Sequence, residues 1–290
     1  MADIPQVMPP NIAAVLKKAD GVPSLPTVIA ELERVIGSAG VNMKQVASVV
    51  EKDLGLTAKV LKVANSAFTG FSGKVSTVQL ACSLLGMGTI EGLVTSVGVM
   101  HTLRIGADEY FDPLKFWRHS VMTGLCAQDL SNRLGYNLRG DLFTCGLLHD
   151  VGKIVMAHSW HEDFVEMMKL HRTGVPYREA ERRIYGADHT QIGWWVGRHW
   201  GLPDVFLQCI LNHHEWPEKR EDPLHKRIAA TYLGNLVTHM AEYRGEKGRY
   251  PSLRPEFQER FGLSQEAVMQ ISEAALGKSQ QLLSEMLENK

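Results

Sequence analysis

The chain has 290 residues, 44% of them hydrophobic, which is enough apolar material to bury a core in one large domain or two moderate ones. Its 31 basic and 32 acidic residues nearly cancel, so no overall positive field would collect nucleic acid or an anionic membrane surface. Four cysteines without CxxC spacing lie among apolar residues and are predicted to be reduced core residues: Cys82, Cys126, Cys145 and Cys209.

The N-terminal segment lacks the features of a secretory signal. Residues 1–11 include Asp3 and three prolines, where a signal peptide needs a basic start followed by an apolar run. No stretch approaches the roughly 18 consecutive apolar residues of a membrane span. We therefore expect a cytoplasmic protein without a membrane partner.

The predicted elements are helices throughout. Residues 1–10 are predicted to form a loose tail, and from Leu25 onward amphipathic segments of helix length are separated by glycine or proline. In the first half, Asn42 precedes a predicted helix at 43–51, and Gly86 ends another at 77–85. The absence of the period-2 alternation typical of strands predicts an all-α fold.

One pair of predicted helices has the spacing of a helix-turn-helix. Residues 46–52 and 56–66 would be its two helices, joined by a short turn. Only Lys59 and Lys62 give the second helix positive charge, so packing explains the pair better than contact with DNA. Of the functions considered for this chain, a nucleic-acid-binding regulator therefore has the least support from the sequence.

The second half brings histidines to several predicted helices. The His149-Asp150 pair lies at the end of a helix that begins after Asp141, at a turn containing Gly152. An imidazole and a carboxylate at one helix end can bind the same cation, and the second carboxylate oxygen can reach another. Candidate ligands from four helices are His119, His149, Asp150, His189, His213 and His214.

Four short runs in this half resemble the HD superfamily of metal-dependent phosphohydrolases. They are RHS at 118–120, LHDVGK at 148–153, DHTQIG at 188–193 and NHHE at 212–215. Together with supporting segments in the first half, such as LKVANSAF at 61–68, they resemble more narrowly the HDOD family, signalling-associated relatives of the HD-GYP phosphodiesterases. The resemblance extends from about residue 20 to about residue 240.

The resemblance implies a two-lobed helical architecture. We expect an N-terminal tail at 1–19, a helical lobe at 20–108, an HD-like lobe at 109–245 and a C-terminal helical extension at 246–290. A charged linker at 245–255 leads into a polar, amphipathic helical segment at 256–288. The two lobes are expected to meet along the apolar faces of residues 90–103 and 116–130.

The resemblance also implies a metal site with one or two divalent cations. One cation would be held by His119, His149 and Asp150. Lys153 would face a phosphate, although a lysine just past a helix end is also commonly a solvated charge that suits the helix dipole. The other cation would be held by Asp150, His189, His213 and His214. Iron, manganese, nickel and zinc all suit such ligands, and two cations would activate water and neutralise a phosphodiester.

Three departures from the catalytic HD pattern argue against full activity. Asn235 stands where catalytic relatives have a last aspartate, and a neutral amide compensates a cation's charge poorly. The glycine-rich loop that follows the histidine pair in HD-GYP proteins is replaced by WPEK at 216–219. Lys115 stands where some relatives have a glutamate for a third cation, so a third metal is not expected.

The sequence therefore predicts an HDOD-type regulatory protein in signal transduction, with a largely retained metal site and weak or absent catalysis. A signalling protein partner is expected, with a nucleotide or cyclic dinucleotide as a further candidate ligand. The alternative is a working metal-dependent phosphohydrolase, in which Asp150 and Lys153 would be catalytic. The remaining histidines are predicted to be structural or solvent-facing: His101, His158, His161, His171, His199, His225 and His239.

Overall fold

The computed structural model describes residues 8–17, 22–65, 75–136, 138, 141–217, 222–247, 258–259 and 261–287. Within these ranges the chain contains helices and no strand, which confirms the predicted all-α fold. We number the longer helices of these ranges in chain order: α1 Pro10–Lys17, α2 Thr27–Ile36, α3 Met43–Val50, α4 Leu54–Ala64, α5 Val78–Leu85, α6 Met87–Thr102, α7 Pro113–Arg133, α8 Leu142–Leu148, α9 Val151–Ser159, α10 His161–Arg172, α11 Tyr177–Tyr185, α12 His189–His199, α13 Asp204–Asn212, α14 Pro223–Lys247 and α15 Gln265–Leu287.

Local signals set the helix ends of the first lobe close to the predicted positions. The Asn42 side chain accepts a hydrogen bond from the Gln45 backbone amide, and the Gln45 side chain accepts one from the Asn42 amide, forming a capping box at the start of α3. Gly86 ends α5 with a φ of 81°, a conformation that favours glycine. Helix α1 lies within the segment 1–19 that the sequence predicted as a tail.

Helices α3 and α4 form the pair that resembled a helix-turn-helix. Lys59 in α4 is only 5% exposed, and its ammonium group donates a hydrogen bond to the Met286 carbonyl at 2.5 Å and contacts His101 Nε2. Because this positive charge lies inside the protein, it is not presented to a nucleic-acid backbone. Lys59 is therefore a packed residue of the interior, whereas Lys62 is half-buried.

The two helices along which the predicted lobes were expected to meet, α6 and α7, are not principal packing partners. Helix α6 packs across the boundary on α8, whereas α7, the predicted partner, packs mainly on α8, α14 and α15. A Cβ atom added at Gly92 in α6 would lie 1.6 Å from Thr144 Oγ1 in α8. The absence of a side chain at Gly92 allows the two helices to approach closely, and a pattern of apolar residues does not reveal such a contact.

The C-terminal helix α15 is part of the core. It packs against α4, α7 and α14. Much of the predicted linker at 245–255 lies outside the described residues. Helix α15 buries one mainly apolar face. That face includes Val268, Ile271, Ala275, Leu282, Leu283 and Met286.

The interior of the protein contains all four cysteines as free thiols, as expected. Within the described ranges no single helix is long and apolar enough to cross a bilayer. Helices α5 and α6 meet that composition criterion only when taken together, and the chain bends by 116° between them.

Candidate metal centre

The His149-Asp150 pair forms a two-residue junction between α8 and α9, and both side chains are buried. The sequence placed Gly152 in a turn after this pair, but the structure places it inside α9. A Cβ atom at Gly152 would lie 2.0 Å from the His189 carbonyl oxygen. Glycine is therefore needed because the backbones of α9 and α12 touch, and this contact brings Asp150 next to His189.

The first oxygen of the Asp150 carboxylate faces three histidines from two other helices. Asp150 Oδ1 lies 3.3 Å from Nε2 of His189, at the start of α12, and 3.3 Å from Nε2 of His213, just after α13. His214 Nε2 lies 3.0 Å from His189 Nε2. Ligand atoms of these four residues all lie within 4.8 Å of one another, as in a metal site.

The second oxygen faces the other two predicted ligands. Asp150 Oδ2 lies 3.3 Å from His149 Nε2 and 3.8 Å from Nε2 of His119, which is buried on α7. These three residues form a second group with the spacing of a metal site. The structure thus brings together all six residues that the sequence singled out as metal ligands.

Hydrogen bonds orient the histidine rings toward Asp150. The Nδ1 atoms of His149 and His213 each donate to the carbonyl oxygen three residues earlier, at 2.6 and 2.8 Å. A carbonyl oxygen only accepts hydrogen bonds, so in the neutral rings Nε2 carries the lone pair. His189 Nδ1 makes the equivalent bond to the Glu181 carboxylate at 2.7 Å. Such outer partners are typical of histidines that bind metals.

Burial and charge favour an ionised Asp150 beside the neutral rings of His213 and His214. Burial opposes ionisation of Asp150, but the neighbouring His149 and Lys153 hold the pKa of its carboxyl group well below the usual range. Burial lowers the pKa of His213 to about 3, and burial together with the neighbouring His213 and His189 lowers that of His214 further. At neutral pH the rings of His213 and His214 therefore present lone pairs and no charge.

This arrangement fits a divalent cation. Among the described residues, His149 Nε2 and Asp150 Oδ1 are buried and have no hydrogen-bond partner. Unpaired buried acceptors cost free energy, and several that converge on one carboxylate would be stabilised by a shared positive ion. Imidazole nitrogens with one carboxylate oxygen are the usual ligands of zinc, iron, manganese and nickel.

Lys153 lies beside the cluster. Its ammonium group donates to Asp150 Oδ2 at 2.6 Å and lies over the ring of Tyr177, 5.3 Å from the centroid. Both residues line a pocket of about 200 Å³ that reaches Asp150. Aromatic rings form much of its wall: Tyr110, Phe111, Phe116, Phe164 and Tyr177.

Helix α11 supports the centre, although the sequence gave no reason to assign it a role. The fully buried Glu181 binds both the ring and the backbone amide of His189. Arg178 lies 3.0 Å from Asp188, which caps α12, and 3.6 Å from Glu215, which follows the histidine pair. This guanidinium links two ligand-bearing segments, an arrangement that appears only in the folded chain.

Replacing Glu181 with glutamine should weaken metal binding by about 10- to 100-fold, because His189 loses the carboxylate partner that orients its ring. Isothermal titration of metal-free protein with Zn²⁺ measures this change. Glu179→Gln is a matched control on the same helix, since Glu179 is half-buried and, among the described contacts, pairs with Arg183 and not with a metal-ligand residue. Equal affinities for the two variants would contradict the assigned role.

Two further residues near His119 were not predicted. His239, expected to be structural or solvent-facing, has its ring centroid 4.7 Å from that of His119, and Glu242 Oε1 lies 3.0 Å from His119 Nδ1. Asn235 Oδ1 lies 3.1 Å from His119 Nε2. Positions 235, 239 and 242 share one face of α14, so their spacing of four and three residues is the signal that could have found them.

Fold and site together define an all-helical protein with histidine and aspartate clusters suited to a divalent cation. Residues 22–216, about two thirds of the chain, match the sequence model of the HDOD domain family. The chain therefore belongs to the HDOD domain family, as its motifs predicted.

Individual relatives are more distant. An uncharacterised protein of Treponema pallidum (strain Nichols) is 26% identical over 221 residues, which are 75% of this chain and 42% of that protein. The crystal structure of a proposed phosphohydrolase from Shewanella amazonensis SB2B is 25% identical with a TM-score of 0.70, covering 94% of this chain and 97% of that one. A proposed signal transduction protein from Marinobacter aquaeolei VT8 has the same fold, with 20% identity, a TM-score of 0.70, and coverage of 96% and 65%.

Proposed function

We propose that this protein is a regulatory HDOD protein of signal transduction that binds a divalent cation through Asp150, His189, His213 and His214. The observation that carries the proposal is the convergence of imidazole lone pairs on a buried carboxylate whose Oδ1 atom lacks a hydrogen-bond donor among the described residues. The name of the Marinobacter relative supports a signalling role. The bound cation would hold α12 and the end of α13 against the α8–α9 junction.

The amide at position 235 supports regulation over catalysis. Asn235 is buried beside His119, on the side of the centre where a carboxylate would neutralise a second cation. The chain after Glu215 also lacks the glycine-rich loop of the cyclic-dinucleotide phosphodiesterases. We infer that the cation stabilises a signalling conformation that a partner protein recognises.

A second candidate is a metal-dependent phosphohydrolase, which the name of the Shewanella relative and the pocket favour. A divalent cation bound there would polarise a phosphoryl oxygen and favour ionisation of water. The Lys153 ammonium would offset negative charge on a phosphate in the pocket, and the aromatic walls would exclude water from it. Asp150 would hold the cation in place.

Turnover of cyclic dinucleotides should be absent or very slow. Removing a group that stabilises charge at a reacting phosphate typically costs about 10²- to 10³-fold in rate, and this chain lacks both the substrate loop and a carboxylate at position 235. Hydrolysis is measured chromatographically with Mn²⁺, Fe²⁺ or Zn²⁺ added. Turnover near 1 per second that is abolished by Asp150→Asn would instead favour the phosphohydrolase.

A further inference from the structure

The outward side of His119 carries a second set of metal-ligand side chains. Helix α14 brings His239 and Glu242 to this side, where Glu242 Oε1 lies 3.0 Å from His119 Nδ1 and Oε2 lies 3.3 Å from His239 Nδ1. The ligand atoms of these three residues lie within 4.8 Å of one another. This set shares His119 with the group formed by His119, His149 and Asp150, but it contains no other residue that surrounds Asp150.

The contacts of the His119 ring favour binding on the outward side. Its Nε2 atom faces the Asn235 amide oxygen at 3.1 Å, and because that oxygen only accepts hydrogen bonds, Nε2 carries the proton in this arrangement. The neutral ring then has its lone pair on Nδ1, which faces a Glu242 carboxylate oxygen. Two acceptors 3.0 Å apart would be stabilised by a cation between them.

The inward side of His119 is less suitable. There the nearest carboxylate oxygen is Asp150 Oδ2 at 3.8 Å, which already accepts a hydrogen bond from Lys153. Asn235 adds no charge on that side, whereas Glu242 supplies a full negative charge on the other. A cation gains more electrostatic stabilisation from a carboxylate that contacts imidazoles, such as Glu242, than from one already paired with an ammonium group, such as Asp150.

We propose that this protein binds a second divalent cation through His119, His239 and Glu242, rather than through His119, His149 and Asp150. Two imidazoles and one carboxylate form a three-ligand set that leaves open coordination positions. All three residues line the pocket of about 200 Å³, and His239 has 53% of its side chain exposed. The open positions would face the pocket and accept an anionic oxygen, such as that of a phosphate. The proposal of a second cation rests on the proposed function only in assuming that a first cation binds at Asp150, His189, His213 and His214.

Zinc titration of the full chain after removal of bound metal tests the proposal. The parent should bind two equivalents of Zn²⁺, measured by isothermal titration and by elemental analysis after dialysis. His239→Ala and Glu242→Gln should each lose one equivalent and retain the other, whereas Asp150→Asn should lose the first and keep the second. His225→Ala is the matched control at the start of the same helix, because His225 contacts Asp222 and does not line the pocket. It should retain both equivalents.

The outcomes separate the two proposals. If His239→Ala and Glu242→Gln bind as much zinc as the parent, the outward site is absent, and Glu242 only holds the His119 ring by a hydrogen bond. If Asp150→Asn keeps both equivalents while His239→Ala loses one, the outward site stands and the centre of the proposed function fails. Because His239 is half exposed, its replacement should leave the fold intact, and circular dichroism melting of each variant checks this.

Discussion

Replacing Asp150 with asparagine should remove about one equivalent of divalent metal per chain. The substitution conserves shape but removes the negative charge that faces the Nε2 atoms of His149, His189 and His213, each of which lies 3.3 Å from an Asp150 carboxylate oxygen. Changing an outer partner of a metal ligand costs about 10- to 100-fold in affinity, so losing a charged ligand should cost at least about 100-fold.

Thermal unfolding provides an independent measurement of the same change. With free Zn²⁺ at about 100 times the parent's dissociation constant, binding stabilises the parent by about 2.7 kcal/mol. A variant with 100-fold weaker affinity gains only about 0.4 kcal/mol under the same conditions. Asp129→Asn is the control, because Asp129 lies on the surface of α7 paired with Arg133. An Asp150→Asn protein that keeps the parent's zinc content and melting shift would exclude the assigned centre.

Replacing Gly152 with alanine should lower the free energy of unfolding by at least about 3 kcal/mol. The new Cβ atom would lie 2.0 Å from the carbonyl oxygen of His189 and 2.9 Å from the amide nitrogen of Gly193. Both are backbone atoms of α12, so the clash cannot be relieved by rotating a side chain. Helix α9 would have to move away from α12, which would also separate Asp150 from His189.

Urea denaturation of Gly152→Ala and Gly277→Ala compares two glycines that lie inside helices. Gly277 is exposed in α15, and an added Cβ atom would meet nothing within 4 Å. Alanine there should stabilise the protein by about 0.5–1 kcal/mol, because it has the higher helix propensity. The expected effects therefore have opposite signs. Similar small effects at the two positions would show that α9 and α12 are not packed as described.

The helical fold and six of the clustered side chains could be predicted because their signals are local or lie in ordered motifs. Asn42 and Gly86 mark helix ends through the conformations of a few neighbouring residues. The His149-Asp150 pair was visible because two adjacent residues suffice to suggest a shared cation. Such signals do not depend on knowing which helices pack together.

Other features depended on contacts that sequence spacing does not contain. Glu181 is eight residues from His189 and separated from it by a turn, so its role follows only from how α11 folds back on α12. His239 and Glu242 lie on the same face of α14 as Asn235, but this spacing indicates a metal site only once His119 is known to lie beside that face. The contact between α6 and α8 depends on Gly92, and a glycine adds nothing to the apolar pattern from which packed helix faces are predicted.

The burial of Lys59 gives the protein a built-in reporter of its C-terminal helix. Its amine lies beneath the end of α15, bonded to the Met286 carbonyl, and burial with nearby positive charge lowers its pKa. Because Lys59 is only 5% exposed, a reagent that acylates amines in water should react with it much more slowly while α15 stays in place. The extent of labelling at Lys59, measured by mass spectrometry, would therefore report the fraction of molecules in which α15 has separated from α4.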